Sequence, residues 1–369
     1  MQPTSYTTNP PVRIAVAGAG YIGQAHIGAI LKNNSSALSA IVDPSPNAKI
    51  YAANLQVPYF EDLDVLLKSN LTQQHTDAVI IATPNHLHAQ QALTCMRMDM
   101  PVLVEKPVTH DLASGQQLLE ALTMSKAPVL VGHHRAHSAI MKNARAMVHS
   151  GQLGKIVSVV GTAWFFKPDD YFESSPWRKS KAAGPLLLNM IHEVHNLRML
   201  CGEVTQVQAM TSQATRGFEV EDTASITMRF DSGVLASFAI SDTAASPKSW
   251  EQTSQENPAY SSYPDQNCYY IAGTHASLAI PTMTIHSYTN TQQRSWWKPF
   301  QVSAQPAITD DPIANQIDHF VRVVRAEETP LVSLHDGLEN LKVVQAIVVA
   351  ASQGITVHMA SFNHSSAIA

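Results

Sequence analysis

Short apolar runs alternate with segments of helical periodicity through the first third of the chain. The run Val12–Ala17 is rich in β-branched and small apolar residues and predicts a buried strand. Asp77–Ala82 has the same character and is typical of a strand that is buried on both faces. Strands that alternate with helices predict a parallel, doubly wound α/β sheet. Further strands are expected over Ala40–Asp43, Pro101–Glu105 and Pro128–Val131, and helices over Asn47–Leu55, Glu61–Leu67, His86–Met98 and Asp111–Ser125.

Beyond Gly132 the apolar segments become longer and short turns such as Asp231-Ser232-Gly233 join them, which predicts a largely antiparallel sheet. Strands are expected over Lys155–Phe166, Val204–Thr215, Thr223–Phe230, Val234–Ser241, Tyr269–Ala272, Ser277–Ile285 and Ser295–Val302. Helices are expected over Ser138–Ser150, Gly184–Leu200, Pro312–Ala326 and Leu334–Ser352. The long polar stretch Ser246–Gln266 predicts a lid, a subunit contact or a mobile loop.

The length of 369 residues favours two domains, because single cores stop growing at about 250–300 residues. We expect a dinucleotide-binding Rossmann domain over 1–132 and a domain for substrate binding and oligomerisation over 133–369. The net charge of −5 and the absence of basic blocks argue against nucleic acid as a partner. The sequence has no apolar run of about 18 residues, so no membrane span is predicted. Three distant cysteines and a polar first segment without a secretory pattern favour a cytoplasmic protein.

A glycine motif follows the first predicted strand. Gly18, Gly20 and Gly23 have the G-x-G-x-x-G spacing, which provides a tight turn, close backbone approach to a pyrophosphate and close helix–strand packing. The free N–H groups of the helix that follows would bind the phosphate charge. Together with the intervening Tyr21 and Ile22, these glycines are predicted to contact a dinucleotide.

Asp43 ends the second predicted strand, where a carboxylate can accept hydrogen bonds from both ribose hydroxyls of NAD. The 2′-phosphate of NADP would meet a like charge at this position. The sequence therefore predicts NAD rather than NADP as the cofactor.

Two loops at predicted strand ends carry further polar residues. Thr83-Pro84-Asn85 follows the strand Asp77–Ala82, at the edge where open α/β sheets bind ligands. Lys106 follows the strand Pro101–Glu105 and precedes Pro107, so its amine is expected in the cofactor crevice. A surface lysine beside a turn-forming proline is the alternative.

The predicted helix Gly184–Leu200 is apolar almost all round and is expected to be buried. Asn189, His192 and Asn196 would share one stripe of it, with His195 at the edge. A polar stripe on a buried helix suggests a ligand site, and a satisfied network of core hydrogen bonds is the alternative. The sequence from His192 to His195 is one residue short of the zinc motif H-E-x-x-H, so no metal site is predicted.

Cations and aromatic residues also occur near the predicted domain junction. His133 and Arg135 follow the last Rossmann strand, and Trp177 and Arg178 follow Tyr171. We expect His133, Arg135, Trp177 and Arg178 to contact a substrate that carries hydroxyls or a carboxylate, although ordinary packing would also explain each of them.

The glycine motif, Thr83-Pro84-Asn85 with His88, Glu105-Lys106-Pro107 and the His192 helix occur in one order that resembles the Gfo/Idh/MocA family of glucose–fructose oxidoreductase and inositol dehydrogenase. The resemblance implies a Rossmann domain followed by an α+β domain on an open, mostly antiparallel sheet. The exposed face of that sheet commonly forms the subunit interface, which implies a homodimer or homotetramer. The implied activity is reversible NAD(P)-dependent oxidation of an alcohol carbon on a sugar, cyclitol or related polyol ring.

The resemblance also implies roles for individual residues. Lys106 would be the catalytic lysine and His192 the catalytic histidine, both in contact with substrate, and the cofactor would further contact Thr83, Pro84, Asn85, His88, Glu105 and Lys106. His192 would act as general base while Lys106 stabilises the alkoxide, and an exchange of these two roles stays open.

The chain departs from the family at this helix, because Leu188 and His195 stand where the family has Asp. Asn189 is expected to take over the orientation of His192 and the binding of substrate hydroxyls. Two alternatives to a polyol dehydrogenase remain. One is a cis-dihydrodiol or ring-carboxylate (quinate-like) dehydrogenase, and the other is a non-catalytic, NAD-binding regulatory protein.

Overall fold

A computed structural model describes residues 9–180, 183–305 and 308–363. The chain divides into two compact units. The first unit comprises the described residues up to His134 together with Pro312–Glu339, and the second comprises Arg135–Asp311 and the described residues from Asn340 onward. The sequence-based boundary at 132/133 assigned 312–339 to the second domain, whereas these residues return to the first unit.

Within the described residues, the first unit contains a six-stranded sheet in which every pairing is parallel. The strand order is β3-β2-β1-β4-β5-β6, so successive strands are added on one side of β1 and then, from β4 onward, on its other side. At such a switch point a crevice opens at the carboxyl ends of the strands. This topology confirms the predicted doubly wound sheet. The strands are β1 (Val12–Ala17), β2 (Ser36–Val42), β3 (Tyr59–Phe60), β4 (Ala78–Ile81), β5 (Val102–Glu105) and β6 (Val129–Gly132).

Helices cover the sheet of the first unit: α1 (Tyr21–Lys32), α2 (Pro46–Asn54), α3 (Leu63–Gln73), α4 (Asn85–Arg97), α5 (Leu112–Leu122) and α10 (Pro312–Val324). Helix α10 packs against α1, and its Ile317 and Phe320 share one apolar core with Ile27 and Ile30. The periodicity of α10 predicts a buried face, but no local pattern indicates which of two cores that face covers. This is why the sequence assigned the helix to the wrong domain.

The second unit is built, within the described ranges, on a nine-stranded sheet of order β14-β13-β12-β11-β7-β10-β9-β8-β15. Among the described pairings of this second sheet, only β7–β10 is parallel, which confirms an open, mostly antiparallel sheet. The strands are β7 (Ile156–Trp164), β8 (Val204–Ser212), β9 (Thr223–Phe230), β10 (Leu235–Ser241), β11 (Tyr269–Gly273), β12 (Ala276–Ile280), β13 (Thr284–Ser287), β14 (Gln301–Ala304) and β15 (Val357–His358).

Strand β9 alternates between buried and exposed residues, as expected where one sheet face packs and the other does not. The helices of this unit are α6 (Ala139–His149), α7 (Asp169–Glu173), α8 (Ile191–Cys201), α9 (Trp250–Thr253) and most of α11 (Leu334–Gln353). Short 3₁₀ turns span His134–His137, Pro176–Lys179 and Thr291–Gln293. No helix in the part of the chain that the structure describes is long and apolar enough to cross a membrane.

Two strand predictions in this unit are wrong in extent. The segment Ser277–Ile285 forms two antiparallel strands, β12 and β13, instead of one. Pro281 lies between them, and a proline has no N–H to donate to a sheet ladder. Only the end of Ser295–Val302 is extended, because turns occupy the residues before β14. The predicted loop 246–266 contains the short helix α9.

The helix predicted over Gly184–Leu200 is also irregular. Leu186–Met190 forms a π-helical turn, and the regular α-helix α8 begins at Ile191. A π turn has a wider hydrogen-bond spacing than an α-helix and often occurs at functional sites. The regular stripe that was predicted to join Asn189 to His192 and Asn196 is therefore broken before His192.

Candidate functional site

The glycine loop after β1 is closely packed against its neighbours. Gly18 has a φ of +94°, and a Cβ atom there would lie 2.4 Å from the carbonyl oxygen of Ala82. A Cβ atom on Gly23 would lie 1.9 Å from the carbonyl oxygen of Gly18. Only glycine fits these two positions, so the first and third glycines set the turn and the close approach of α1 to it.

Gly20 differs from the other two glycines because a Cβ atom there would meet nothing within 4 Å. It is the N-cap residue of α1, where no side chain caps the helix and the first turn has no acidic residue. The first N–H groups of the helix and the space beside Gly20 are therefore open to a ligand. An uncapped helix N-terminus with room for close backbone approach fits the pyrophosphate of a dinucleotide. Tyr21 is 77% exposed and Ile22 is half-buried at the start of the same helix.

Asp43 follows β2 and anchors this loop. Its Oδ2 atom accepts a hydrogen bond from the Ala19 amide, and its Oδ1 atom accepts one from the Ser45 amide, both at 2.8 Å. Burial alone would raise the pKa of Asp43, but these hydrogen bonds outweigh burial and hold the pKa below its ordinary value. The carboxylate is thus ionised beside the glycine loop, where a negative charge favours ribose hydroxyls over a 2′-phosphate.

His88 connects the loops that follow β4 and β5. Its Nε2 atom lies 2.8 Å from the carbonyl oxygen of Thr83, and its Nδ1 atom lies 2.8 Å from the carbonyl oxygen of Pro107. Burial lowers the pKa of His88, although both carbonyl contacts favour the charged ring. The imidazole is 1% exposed, so it links the two predicted cofactor loops as a buried residue. Asn85 begins α4, whose N-terminus also has no side-chain cap.

A buried carboxylate supports the turn that carries Lys106. The Oε1 atom of Glu105 lies 2.8 Å from Nε2 of His26 on α1, and its Oε2 atom accepts a hydrogen bond from the Lys106 amide at 3.2 Å. Gly132 on the neighbouring strand β6 leaves the space for this side chain, since a Cβ atom there would lie 2.7 Å from Oε1. Glu105 was predicted to contact the cofactor, but the residue is 4% exposed and its side chain pairs with His26 and the Lys106 amide instead. Lys106 itself is half-buried.

Helix α8 carries His192, which is 6% exposed. The residue beside it belongs to a network of buried charges. The next residue, Glu193, accepts a hydrogen bond from Nη1 of Arg135 at 2.6 Å and another from the hydroxyl of Tyr269. Nη2 of Arg135 donates to Glu251 at 2.7 Å. Burial opposes the charge on Arg135, but the two carboxylates raise its pKa above the ordinary value. The guanidinium of Arg135, predicted to contact substrate, instead ties α8 to the 3₁₀ turn 134–137.

The remaining polar residues of α8 belong to the core. Nδ2 of Asn196 donates to the hydroxyl of Tyr269 at 3.1 Å, and Nδ1 of His195 accepts from Nδ2 of Asn340 at 3.0 Å. Asn196 and His195 therefore belong to a core hydrogen-bond network, although Oδ1 of Asn196 is buried without a hydrogen-bond partner among the described residues. Among the described residues, no group of three or more His, Cys, Asp or Glu side chains could hold a metal ion.

Asn189 has a partner that the sequence did not reveal. Nζ of Lys167 donates to Oδ1 of Asn189 at 2.8 Å. Lys167 follows β7 and lies over the rings of Phe165 and Tyr171, with distances of 5.4 and 5.2 Å to the ring centroids. Asn189 is half-buried on the π turn that precedes α8.

The other predicted substrate residues differ in exposure. Arg178 lies over the ring of Tyr171 at 3.8 Å and donates to the Tyr171 carbonyl oxygen at 2.6 Å. Trp177 is 52% exposed in the same 3₁₀ turn, whereas His133 is 1% exposed. Arg178 and Trp177 are therefore accessible to a ligand.

Two residues of the candidate site were missed from the sequence, and each had a detectable signal. His26 follows Gly23 by three positions, a spacing that places both on one face of α1. Lys167 follows the aromatic run Trp164-Phe165-Phe166 at the end of a strand. Neither signal indicates which distant carboxylate or amide the side chain contacts.

Comparison with known protein families gives two matches along the chain. Residues 12–133 match the oxidoreductase family model with an NAD-binding Rossmann fold, GFO_IDH_MocA. Residues 141–279 match the model of the GFO/IDH/MocA C-terminal domain. The first match confirms the prediction of a dinucleotide-binding domain with NAD as its cofactor, and the two matches follow in the order that the motifs implied.

Characterised relatives are distant and align over part of the chain. The 2,7-anhydro-N-acetylneuraminate hydratase of Escherichia coli K12 is 28% identical over 61% of this chain and 60% of its own length. An inositol 2-dehydrogenase of Leifsonia xyli is 34% identical over 42% of this chain and 45% of its own length. The chain thus matches about half of the length of these relatives.

Solved structures match nearly the whole fold. An oxidoreductase from Thermotoga maritima aligns with a TM-score of 0.79 at 21% identity, over 96% of this chain and 100% of its own. The WlbA dehydrogenase of Bordetella pertussis, solved with NADH and UDP-GlcNAcA, aligns with a TM-score of 0.74 at 22% identity, over 94% of this chain and 98% of its own. The fold, the order of the motifs and both family matches agree, and the chain belongs to the Gfo/Idh/MocA family of oxidoreductases.

Proposed function

We propose that this protein is an NAD-dependent dehydrogenase or reductase that acts on a ring alcohol carbon of a sugar, cyclitol or related polyol. The observation that carries the proposal is the open N-terminus of α1 at Gly20 beside the ionised Asp43, in the same unit as the Lys106 turn. The uncapped helix and the ionised acid support binding of NAD, and the lysine whose backbone Glu105 holds supports stabilisation of a developing alkoxide. The names of the relatives, which include an inositol 2-dehydrogenase, support a polyol substrate.

Bound NAD would supply the hydride acceptor for the alcohol carbon. His192 would accept the proton of the substrate hydroxyl, and Lys106 would stabilise the negative charge that develops on its oxygen. The buried pair of Glu193 and Arg135 would fix α8, and therefore the position of His192, while Glu105 would hold the backbone of Lys106. Lys106 could itself hold the proton, in which case His192 would orient the hydroxyl.

A screen of NADH formation tests this proposal. The purified protein with NAD would be offered cyclitols, aldoses, quinate-like acids and dihydrodiols, and NADH fluorescence would be recorded. We expect turnover with at least one ring alcohol. Binding of NADH without formation of NADH from any of these compounds would favour the non-catalytic, NAD-binding regulatory protein.

A dehydrogenase of cis-dihydrodiols or of hydroxylated ring carboxylates is the second candidate function. The observation that favours a carboxylate is Arg178, whose guanidinium is half-buried and has no carboxylate partner among the described residues. Turnover of quinate-like acids but not of neutral cyclitols in the same screen would select it.

We also propose a homodimer or homotetramer that forms through the exposed face of the nine-stranded sheet. Val157, Val160, Leu235 and Tyr270 are 45–49% exposed on strands β7, β10 and β11. Light scattering after size-exclusion chromatography would test it, and a monomer at micromolar concentration would contradict it. A cytoplasmic location is proposed because Cys95, Cys201 and Cys268 are buried free thiols.

A further inference from the structure

His26 lies inside helix α1, about 9 Å along the helix axis from the open N-terminus at Gly20. Its imidazole is completely buried, and a buried polar ring is stable only where it has a hydrogen-bond partner. Nε2 of His26 lies 2.8 Å from Oε1 of Glu105 on β5, whereas Nδ1 has no hydrogen-bond partner among the described residues. The contact with Glu105 is therefore the one that accounts for a histidine at this position.

Glu105 stays ionised although it is buried. Burial alone would raise its pKa, but the hydrogen bond from His26 and the nearby positive charges bring the pKa below its ordinary value. An ionised carboxylate only accepts hydrogen bonds, so Nε2 of His26 is the donor of this pair. The other groups whose charge acts on Glu105 are Lys106 itself, His134 after β6 and His88 on α4. Among them, His26 is the side chain that donates directly to the carboxylate.

The carboxylate is held where it contacts two elements at once. Its second oxygen, Oε2, accepts a hydrogen bond from the Lys106 amide at 3.2 Å. Gly132, which pairs with Glu105 across strands β5 and β6, leaves the space for this arrangement. A Cβ atom on Gly132 would lie 2.7 Å from Oε1 and 2.9 Å from the carboxyl carbon. The carboxylate therefore joins helix α1 to the Lys106 turn.

The charge of Glu105 also acts on the Lys106 amine. The two groups attract each other electrostatically, and an adjacent negative charge favours the ammonium form of a lysine. The ammonium, and not the neutral amine, stabilises negative charge on a substrate oxygen. Without its donor the buried Glu105 would take up a proton, because burial favours the uncharged acid. His26 thus acts on Lys106 through Glu105.

We propose that His26 is a positioning residue for the reaction: it keeps Glu105 ionised, and through Glu105 it holds the Lys106 turn and keeps the Lys106 amine protonated. The inference rests on the proposed function, in which Lys106 stabilises the developing alkoxide. It assigns a role in that reaction to a residue of the helix that is proposed to bind the pyrophosphate.

A double variant separates this role from stability. His26→Leu/Glu105→Leu replaces both partners by apolar side chains, and such a replacement of a buried pair is often neutral for stability. Urea denaturation checks the fold, and titration with ADP-ribose, which has the pyrophosphate but no nicotinamide, checks helix α1. Glu105→Gln removes the charge alone and serves as the second variant if the double variant does not fold.

Two further variants are the controls. His26→Gln is conservative, because its amide can donate to Glu105 in place of Nε2. Ile27→Val changes the buried residue next to His26 without touching the pair. Both controls should behave like the wild type in the measurement of the Lys106 amine.

Acetylation by acetic anhydride, followed by peptide mass spectrometry, reports the proton on the Lys106 amine without any substrate, because only the neutral amine reacts. We expect the pH profile of acetylation in the double variant, and in Glu105→Gln, to lie about one pH unit or more below the wild-type profile. Lys32, which is exposed on the same helix, is the internal standard and should not shift. Greater exposure of Lys106 alone would raise the maximal rate without moving the profile.

The inference is wrong if the double variant or Glu105→Gln keeps the wild-type profile, or if His26→Gln shifts as far as they do. Single-turnover formation of NADH is measured separately, on a substrate that the screen identifies. The rate should fall about tenfold or more in the double variant, and a wild-type rate would also contradict the inference. A shifted Lys106 profile in a protein that oxidises no compound would instead contradict the proposed dehydrogenase activity and leave the link from His26 to Lys106 intact.

Discussion

Nε2 of His26 lies 2.8 Å from Oε1 of Glu105, and both side chains are buried. The second oxygen of the same carboxylate accepts a hydrogen bond from the Lys106 amide. One buried acid therefore connects the helix proposed to bind the pyrophosphate with the turn that carries the proposed catalytic lysine. His26, which the sequence did not single out, is the residue that keeps this acid paired.

Loss of His26 should be strongly destabilising. His26→Ala leaves the Glu105 carboxylate buried without its partner, and breaking a buried pair in this way costs about 3–5 kcal/mol. The free energy of unfolding would be measured by urea denaturation at pH 7. Ile27→Val, a buried substitution at the neighbouring position on α1, is the control and should cost about 1 kcal/mol. Equal losses for both variants would contradict the role of the pair.

The same pair predicts a pH dependence of stability. Burial alone would raise the pKa of Glu105, but the hydrogen bond from His26 and the nearby positive charges bring the pKa below its ordinary value. A depressed pKa in the folded state stabilises the fold above the pKa of the unfolded chain, and this contribution is lost as the pH falls through the folded value. The stability difference between the wild type and Glu105→Gln should therefore shrink below about pH 4. A difference that stays constant from pH 7 to about pH 3 would contradict this assignment.

Gly20 and Gly28 provide a matched pair of glycines on one helix. A Cβ atom on either residue meets nothing within 4 Å, so both alanine variants should fold normally. Only Gly20 borders the proposed pyrophosphate site. Gly20→Ala should weaken NADH binding at least about tenfold, equivalent to about 1.4 kcal/mol, whereas Gly28→Ala should leave it unchanged. Fluorescence titration with NADH measures both, and tight binding by Gly20→Ala would contradict the site.

Arg135 and Arg178 should behave in opposite ways. Arg135→Met removes the partner of the buried Glu193 and should lower the free energy of unfolding by about 3 kcal/mol or more. Arg178→Met removes a half-buried cation and should change stability by less than about 1 kcal/mol. Its effect should appear in substrate binding, measured as KM. A stable Arg135→Met variant with a raised KM would restore Arg135 to the substrate site.

The fold was predictable because its main signals are local. The glycine motif, the apolar runs and the short turns each occupy a few consecutive residues, and the structure bears out the two sheets that they indicate. The assignment of α10 to the first unit depends on contacts between residues that are almost 300 positions apart, such as Ile27 and Phe320. No window along the sequence contains such information.

The candidate site was predictable only in part, for a related reason. The residue types and the strand ends that carry them were visible in the sequence, so Gly20, Asp43, Lys106 and His192 could be named. The partners that decide each role were not visible. Arg135 donates hydrogen bonds to Glu193 and Glu251, and no spacing in the sequence indicated these partners. The π turn at Leu186–Met190 also changes the helical spacing that would have placed Asn189 and His192 on one stripe.

The central claim is that Lys106 and His192 carry out the chemistry on a bound alcohol. The most direct measurement is single-turnover formation of NADH on the substrate that the screen identifies, with the wild type, Lys106→Ala and His192→Ala, alongside NADH titration of each. We predict that the rate falls about a hundredfold or more in both variants, while NADH binding changes less than about threefold. A wild-type rate in either variant would remove that residue from the mechanism, and a loss of NADH binding equal to the loss of rate would show that it serves the cofactor instead.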